Sequence, residues 1–141
     1  NDLKPNNIII DPENGELTLV DFGVALIYRT DHERDFHTGS RRFQAPELLL
    51  GSNSFSYAVD IWAAGLTILS WIDCKESVFT SMDYEKLLRQ VASIVGTDQL
   101  MNYIEKYGVE LKKSARKSID MWRKKSIGSL FSQNNARFYS P

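Results

Sequence analysis

The chain has 141 residues, with 17 Lys and Arg against 18 Asp and Glu, so its formal net charge is −1. Hydrophobic residues make up 43% and charged residues 25%, a globular composition that excludes collagen-like, mucin-like and disordered classes. The sequence has no run of about 18 apolar residues, so it predicts no membrane-spanning helix. The single cysteine, Cys74, excludes an internal disulfide and favours a reducing compartment.

The first predicted elements are two short strands joined by a tight turn. Residues 8–10 and 17–20 are apolar or β-branched, and Asn14 and Gly15 between them form a dipeptide that tolerates positive φ at both positions. Residues 23–44 then show neither a helix nor a strand pattern. Compact domains rarely keep about 20 such residues unless the loop is functional, so we predict a functional loop there.

The rest of the chain is predicted to be helical. A short helix is expected over 45–51, with Pro46 at its first position and Gly51 at its end. The next helix, over about 57–72, has Ser56 as its cap; it is apolar on all sides and is therefore expected to be buried. Further helical patterns cover about 84–95, 97–107 and 114–125.

Three polar motifs lie within the first 47 residues: Asp2-x-Lys4-Pro5-x-Asn7, Asp21-Phe22-Gly23 and Ala45-Pro46-Glu47. A tight hairpin brings its outer ends together, so Asp2, Lys4 and Asn7 are expected to converge with Asp21. Two carboxylates, an amide oxygen and an ammonium group suit hydrated Mg²⁺ with phosphate. The alternative is that Asp2 and Asn7 are ordinary turn residues and that Asp21 caps the end of a strand.

Together and in this order, the motifs resemble the catalytic loop, metal-binding triplet and activation-segment end of eukaryotic protein kinases. Lys4 followed by Pro5 resembles the serine/threonine branch. The spacing of the first two motifs, residues 39–49 and above all residues 95–107 are similar to the catalytic alpha subunit of casein kinase II. The resemblance covers nearly the whole chain and is weakest over 112–131.

The resemblance implies an α+β protein-kinase-like fold, namely a mainly helical C-terminal lobe with a short β-hairpin, truncated at both ends. Residues 1–141 would form a partial kinase domain. Its parts would be a catalytic loop over 1–7, an activation segment over 21–47 and a helical lobe over 48–141. The N-lobe and the last helices of the C-lobe would lie outside this sequence. The isolated chain is therefore expected neither to fold stably nor to catalyse.

The resemblance also implies the roles of the motif residues. Asp2 would be the catalytic base that orients the acceptor hydroxyl, and Lys4 would steady the transferred phosphate and bind the nucleotide. Asn7 and Asp21 would bind Mg²⁺. The nucleotide would be ATP, with GTP as an alternative.

Further family roles fall on residues outside these motifs. Ile9 and Val20 would lie against the adenine ring. Glu47 would pair with an Arg of a later helix. Asp60 would be a buried carboxylate that hydrogen-bonds the catalytic-loop backbone; its alternative is an acidic residue placed near a helix N-terminus, where the helix dipole favours it.

The family's substrate contacts map onto the activation segment. Ser40 would sit beside the catalytic base and shape the acceptor pocket, and His37 and Arg41 would contact acidic substrates; for these two the alternative is a solvated loop. The third basic position of the family is Gln44 here, and Arg42 is a candidate to compensate. Because only one of the three positions keeps a permanent charge, we expect weaker acidic selectivity than is typical.

Two departures bear on activity. Asn1 stands where most kinases have an Arg that holds a phosphorylated loop, and Asn cannot form such bidentate bonds. We therefore expect activity that does not require loop phosphorylation. Phe22 stands where casein kinase II usually has Trp, so an indole N–H donor is lost near Asp21. A pseudokinase or nucleotide-binding scaffold without phosphoryl transfer is the alternative function.

Partners follow from the resemblance and from charge. Expected partners are protein substrates with acidic residues near Ser or Thr, and a casein kinase II regulatory beta subunit bound through the N-lobe. The expected location is cytoplasm and nucleus, with no membrane. Residues 110–137 hold eight basic and two acidic residues, a net +6; we interpret this stretch as a solvated helix face rather than a nucleic-acid site, with an interaction module as the weaker alternative.

Overall fold

The computed structural model describes residues 1–27, 39–52, 55–111 and 113–120. Strands β1 (Ile8–Ile10) and β2 (Leu17–Leu19) form a two-stranded antiparallel sheet, with Ile8 opposite Leu19 and Ile10 opposite Leu17. The predicted hairpin is therefore confirmed, although β2 ends one residue before the expected Val20.

The hairpin turn differs from the prediction. Only Gly15 has a positive φ (+74°), and Asn14 does not. The backbone N–H of Asp11 donates to Glu16 O at 2.9 Å, so the connection spans four residues, and in longer loops only the last position needs the left-handed region. The Asn14 side chain instead accepts from the Glu16 N–H at 2.8 Å.

The described residues also form five α-helices and two short 3₁₀-helices. The α-helices are α1 (Pro46–Leu49), α2 (Ala58–Ile72), α3 (Tyr84–Val95), α4 (Thr97–Lys106) and α5 (Lys113–Asp120); the 3₁₀-helices are Pro5–Asn7 and Arg41–Phe43. Pro46 opens α1, and Gly51 follows it with φ +76°. Helix α2 has Tyr57 as its N-cap, without a side-chain cap bond, so the predicted cap at Ser56 is one residue too early; Ser56 Oγ nevertheless accepts from the Ala58 N–H at 3.2 Å. The predicted end of the last helix, beyond residue 120, lies outside the described residues.

The core lies where the helices meet. Its fully buried side chains include Phe79, Leu87, Leu88, Val91, Leu100 and Ile119. Helix α3 packs against α1, α4 and α5, and both 3₁₀-helices pack on α2. Burial of these apolar side chains is the main stabilising contribution to the helical body. No helix in the described parts of the chain is long and apolar enough to cross a bilayer.

The expectation that α2 is buried on all sides is wrong for the described residues. In α2, Val59, Ala63 and Leu66 are buried, but Ile61 is 69% exposed and Ile68 52% exposed. These two residues are seven positions apart and lie on one face of the helix. The described residues cover only the opposite face, so α2 is amphipathic in its environment although its sequence is not.

Replacing Leu88 with alanine is expected to lower the free energy of unfolding of the full-length protein by about 2–5 kcal/mol, because the side chain is fully buried and leaves a cavity. Met82→Ala is the matched control, since Met82 is 61% exposed, and should change stability by about 0.5 kcal/mol or less. Chemical denaturation measures both. Equal losses in the two variants would contradict the assigned core.

Candidate catalytic site

Local hydrogen bonds bring the end of the hairpin to the first loop. The 3₁₀-turn Pro5–Asn7 is closed by a bond from the Asn7 N–H to Lys4 O at 3.0 Å. The Val20 N–H then donates to Asn7 O at 3.0 Å, which extends the pairing of the strands by one step. Residue 21 therefore emerges beside residues 1–7, as the sequence predicts.

Asp2 lies at the centre of a hydrogen-bond network. The backbone N–H of Ser40 donates to its Oδ1 at 2.7 Å, and Lys4 Nζ donates to its Oδ2 at 2.7 Å. Asn7 Nδ2 donates to the Asp2 backbone oxygen at 2.9 Å and to Oδ2 at 3.3 Å. Three residues from two chain segments thus fix the orientation of one carboxylate.

These donors set the protonation state of Asp2. Burial raises the pKa of the carboxyl group, but the hydrogen bonds from Lys4 and Ser40, with the charge of Lys4, outweigh burial and leave the pKa below its ordinary value. The group is therefore ionised at neutral pH. It is able to accept a hydrogen bond and a proton, which a neutral carboxylic acid is less able to do.

Lys4 connects the Asp2 carboxylate to Ser40, which lies 36 residues further along the chain. Its Nζ donates to Asp2 and, at 2.9 Å, to Ser40 Oγ. Ser40 therefore contacts this site twice, through its backbone N–H and through its hydroxyl. The resemblance predicted that Ser40 lies beside Asp2; it did not predict the bond from the backbone N–H, because no side-chain pattern reports where a main-chain donor points.

Asp21 follows the hairpin in an unusual backbone conformation. Its φ is +61°, which few residues other than Gly adopt, although Asp and Asn tolerate it best. Its Oδ1 accepts from the Gly23 N–H at 3.3 Å. A Cβ at Gly23 would lie 3.2 Å from that oxygen, so a residue with a side chain there would crowd the carboxylate. The local geometry thus favours both residues as they stand.

A cavity of about 160 Å³ lies between these groups. It is lined by Asp2, Asn7, Val20 and Asp21, with Asn1, Leu3, Leu19, Phe22, Val24, Ala25 and Asp60. Asn7 is buried and its Nδ2 is committed to Asp2, so its Oδ1 remains as an oxygen ligand. Within the described residues no three His, Cys, Asp or Glu side chains form a metal cluster. Two oxygen donors with phosphate and water fit Mg²⁺, which typically takes few protein ligands.

Of the two predicted adenine contacts, Val20 lines the cavity and Ile9 does not. Val20 is half-buried and lines the cavity. Ile9 is 57% exposed and does not line it. Ile9 pairs with Thr18 across the sheet, and side chains two positions apart share a face, so Val20 and Ile9 belong to the same face of the hairpin.

Of the two other predicted substrate residues, the structure describes Arg41 only. His37 lies outside the described residues. Arg41 is exposed, and its Nη1 donates to the backbone oxygen of Met82 at 3.3 Å. Arg42 forms an ion pair with Glu76, with Nη2 and Oε1 3.1 Å apart. The sequence contained no signal for either contact, because the partners are more than 30 residues away.

Asp60 lies in the first turn of α2 and faces the first loop. Its Oδ1 is inaccessible to solvent and lies 3.2 Å from the backbone nitrogen of Asn1. The side chain as a whole is 46% exposed, so Asp60 is partly buried in the described residues: one carboxylate oxygen is covered and the rest of the side chain is not. This position is compatible with both roles predicted for Asp60: a contact with the loop over residues 1–7, and an acidic residue in the first turn of a helix, where the helix dipole favours it.

Asn1 and Glu47 are the last two residues with a predicted role at the site. Asn1 Nδ2 donates to Val24 O at 3.3 Å, which joins the first loop to the segment after Gly23. Among the described residues no Lys or Arg pairs with Glu47, which is half-buried. Burial raises the pKa of Tyr103; a hydrogen bond with Ser52 opposes this, and the nearby Glu47 carboxylate adds to the increase.

An ionised carboxylate fixed beside a lysine, with two oxygen ligands across a small cavity, defines a site suited to phosphoryl transfer. Residues 1–137 match the protein kinase domain. The chain therefore belongs to the protein kinase family. Membership in this family implies a kinase that uses ATP and Mg²⁺.

Proposed function

We propose that this chain is the catalytic part of a serine/threonine protein kinase that transfers the ATP γ-phosphate to Ser and Thr hydroxyls in acidic contexts, as casein kinase II does. The main support is the network in which Lys4 bonds both Asp2 and Ser40. That network joins the catalytic loop to the activation segment, where a peptide acceptor would bind. ATP is the proposed donor, with GTP as an alternative.

Asp2 would act on the acceptor hydroxyl. A carboxylate has about four lone-pair sites, and the bonds from Ser40 N–H, Lys4 and Asn7 leave capacity for one more donor. The acceptor hydroxyl would donate to this carboxylate, which orients its oxygen and receives its proton as the bond from that oxygen to the γ-phosphorus forms and the bond from the γ-phosphorus to the leaving ADP breaks.

Lys4 would stabilise charge on the transferred group. Its ammonium lies within hydrogen-bond distance of both Asp2 and Ser40, next to the site proposed for the acceptor oxygen. A positioned cation stabilises the negative charge of the phosphoryl oxygens in the transition state. Asn7 and Asp21 would hold Mg²⁺, which neutralises phosphate charge when bound.

The proposal extends to partners and location. Substrates would carry acidic residues near the phosphorylated Ser or Thr, and a regulatory beta subunit would bind the N-lobe outside this sequence. The enzyme would act in cytoplasm and nucleus. The Asn1 contact with Val24 supports activity that needs no loop phosphorylation, because a neutral amide already joins the two segments.

Peptide arrays phosphorylated by the full-length protein are expected to show a preference of about two- to five-fold for acidic over neutral residues just after the acceptor, since exposed charge pairs contribute little. Arg41→Gln should lower this preference. Arg116→Gln, an exposed arginine on α5, is the matched control and should not. Equal use of acidic and neutral residues by the wild type would contradict the acidic selectivity.

A further inference from the structure

The segment after α2 lies against the acceptor side of the site. Glu76 pairs with Arg42, and Met82 O accepts from Arg41. These arginines open the 3₁₀-turn Arg41–Phe43, directly after Ser40, whose backbone N–H holds the catalytic carboxylate. Glu76 is therefore an acidic group held close to the place where a substrate residue following the acceptor would lie.

The segment holds Glu76 in position. Its neighbour Ser77 is buried, and Phe79 is 1% exposed in the core. On the other side, Asp73 is buried and forms an ion pair with Lys75. Anchors on both sides limit the places that the Glu76 carboxylate reaches, so its contact with Arg42 follows from the fold of the segment.

The pair itself remains open to competition. The side chain of Glu76 is 69% exposed and that of Arg42 is 29% exposed. Exposed ion pairs are weak because water and salt screen them, so Arg42 is able to exchange Glu76 for another carboxylate at little cost. An acidic substrate side chain is such a carboxylate.

We propose that Glu76 is a specificity-determining residue that competes with acidic substrate residues for Arg42 and so lowers the selectivity of the kinase for acidic peptides. This inference rests on the proposed serine/threonine kinase activity. Two adjacent arginines would then give only modest selectivity, because in the absence of substrate Arg42 already has an acidic partner.

The test compares two serine peptides that differ only in Asp or Asn just after the acceptor. The ratio of their kcat/KM values is measured for the full-length wild type, Glu76→Gln, Arg42→Gln and the double variant. Glu76→Gln is expected to raise the ratio of acidic to neutral peptide about two- to five-fold. Arg42→Gln should lower it, and adding Glu76→Gln to that variant should change nothing further. The increase should shrink at high salt.

Glu105→Gln, on the exposed surface of α4, is the matched control and should leave the ratio unchanged. An unchanged or lower ratio in Glu76→Gln would overturn the inference. So would an equal increase in the Arg42→Gln background, because the effect would then not pass through the pair. Failure of the wild type to phosphorylate either peptide would contradict the proposed function itself, and the inference with it.

Discussion

In the full-length protein, replacing Asp2 with alanine is expected to lower kcat for peptide phosphorylation by about 10²–10⁴-fold, the usual contribution of a positioned general base. The variant removes the carboxylate that accepts from Ser40 N–H and from Lys4. Steady-state kinetics with a serine peptide measures the effect. Asp98→Ala, an exposed change on α4, is the control and should keep wild-type kcat.

Asp2→Asn keeps the size of the side chain but removes its charge and one of its two acceptor oxygens. The remaining oxygen can accept from Lys4 or from the Ser40 N–H but not from both, because these donors bond different oxygens of Asp2, and the amide is a far weaker proton acceptor than a carboxylate. We therefore expect a large loss of kcat with a KM for ATP close to that of the wild type. Normal turnover in either Asp2 variant would show that the role assigned to Asp2 is wrong.

The second large effect is expected at Asp21. Asp21→Asn should lower kcat/KM for ATP about 100-fold or more, because a metal-held phosphate loses several kcal/mol of stabilisation when a charged ligand is removed. Asn is chosen because it tolerates the φ of +61° that Asp21 adopts, so the backbone is preserved. The concentration of Mg²⁺ needed for half-maximal activity should also rise.

Asp11→Asn is the matched control for this substitution. Asp11 lies at the other end of the hairpin, where its Oδ1 accepts from the Glu13 N–H, a contact that an Asn oxygen also makes. Its activity and Mg²⁺ dependence should equal those of the wild type. An Asp21→Asn enzyme with unchanged Mg²⁺ dependence would contradict the assignment of Asp21 as a metal ligand.

Local patterns predicted the elements of the fold well. The apolar and β-branched runs of the hairpin and the Pro46 and Gly51 signals at α1 report interactions within a few residues, and such interactions form wherever the segment lies. The burial of α2 was overestimated because an apolar sequence does not say which neighbours cover each face. Asn14 was misjudged because the loop length, which decides the turn type, depends on where strand pairing stops.

The candidate site, like the fold, was predicted only in part from the sequence. Convergence of Asp2, Lys4, Asn7 and Asp21 followed from hairpin geometry alone. The roles of the individual residues came from the family resemblance, since composition and spacing left turn and cap readings open. The Arg42 contact with Glu76 was beyond prediction because it joins segments 34 residues apart in the sequence, and only the packing of the segment after α2 brings them together.

The central claim is that this kinase transfers phosphate to a seryl hydroxyl oriented by Asp2. It is tested most directly by incubating the full-length wild type and its Asp2→Ala variant with γ-labelled ATP and one acidic peptide that contains both Ser and Tyr, and then mapping the label. The predicted result is label on Ser with the wild type and almost none with the variant. Label on Tyr, or equal labelling by the two proteins, would contradict the claim.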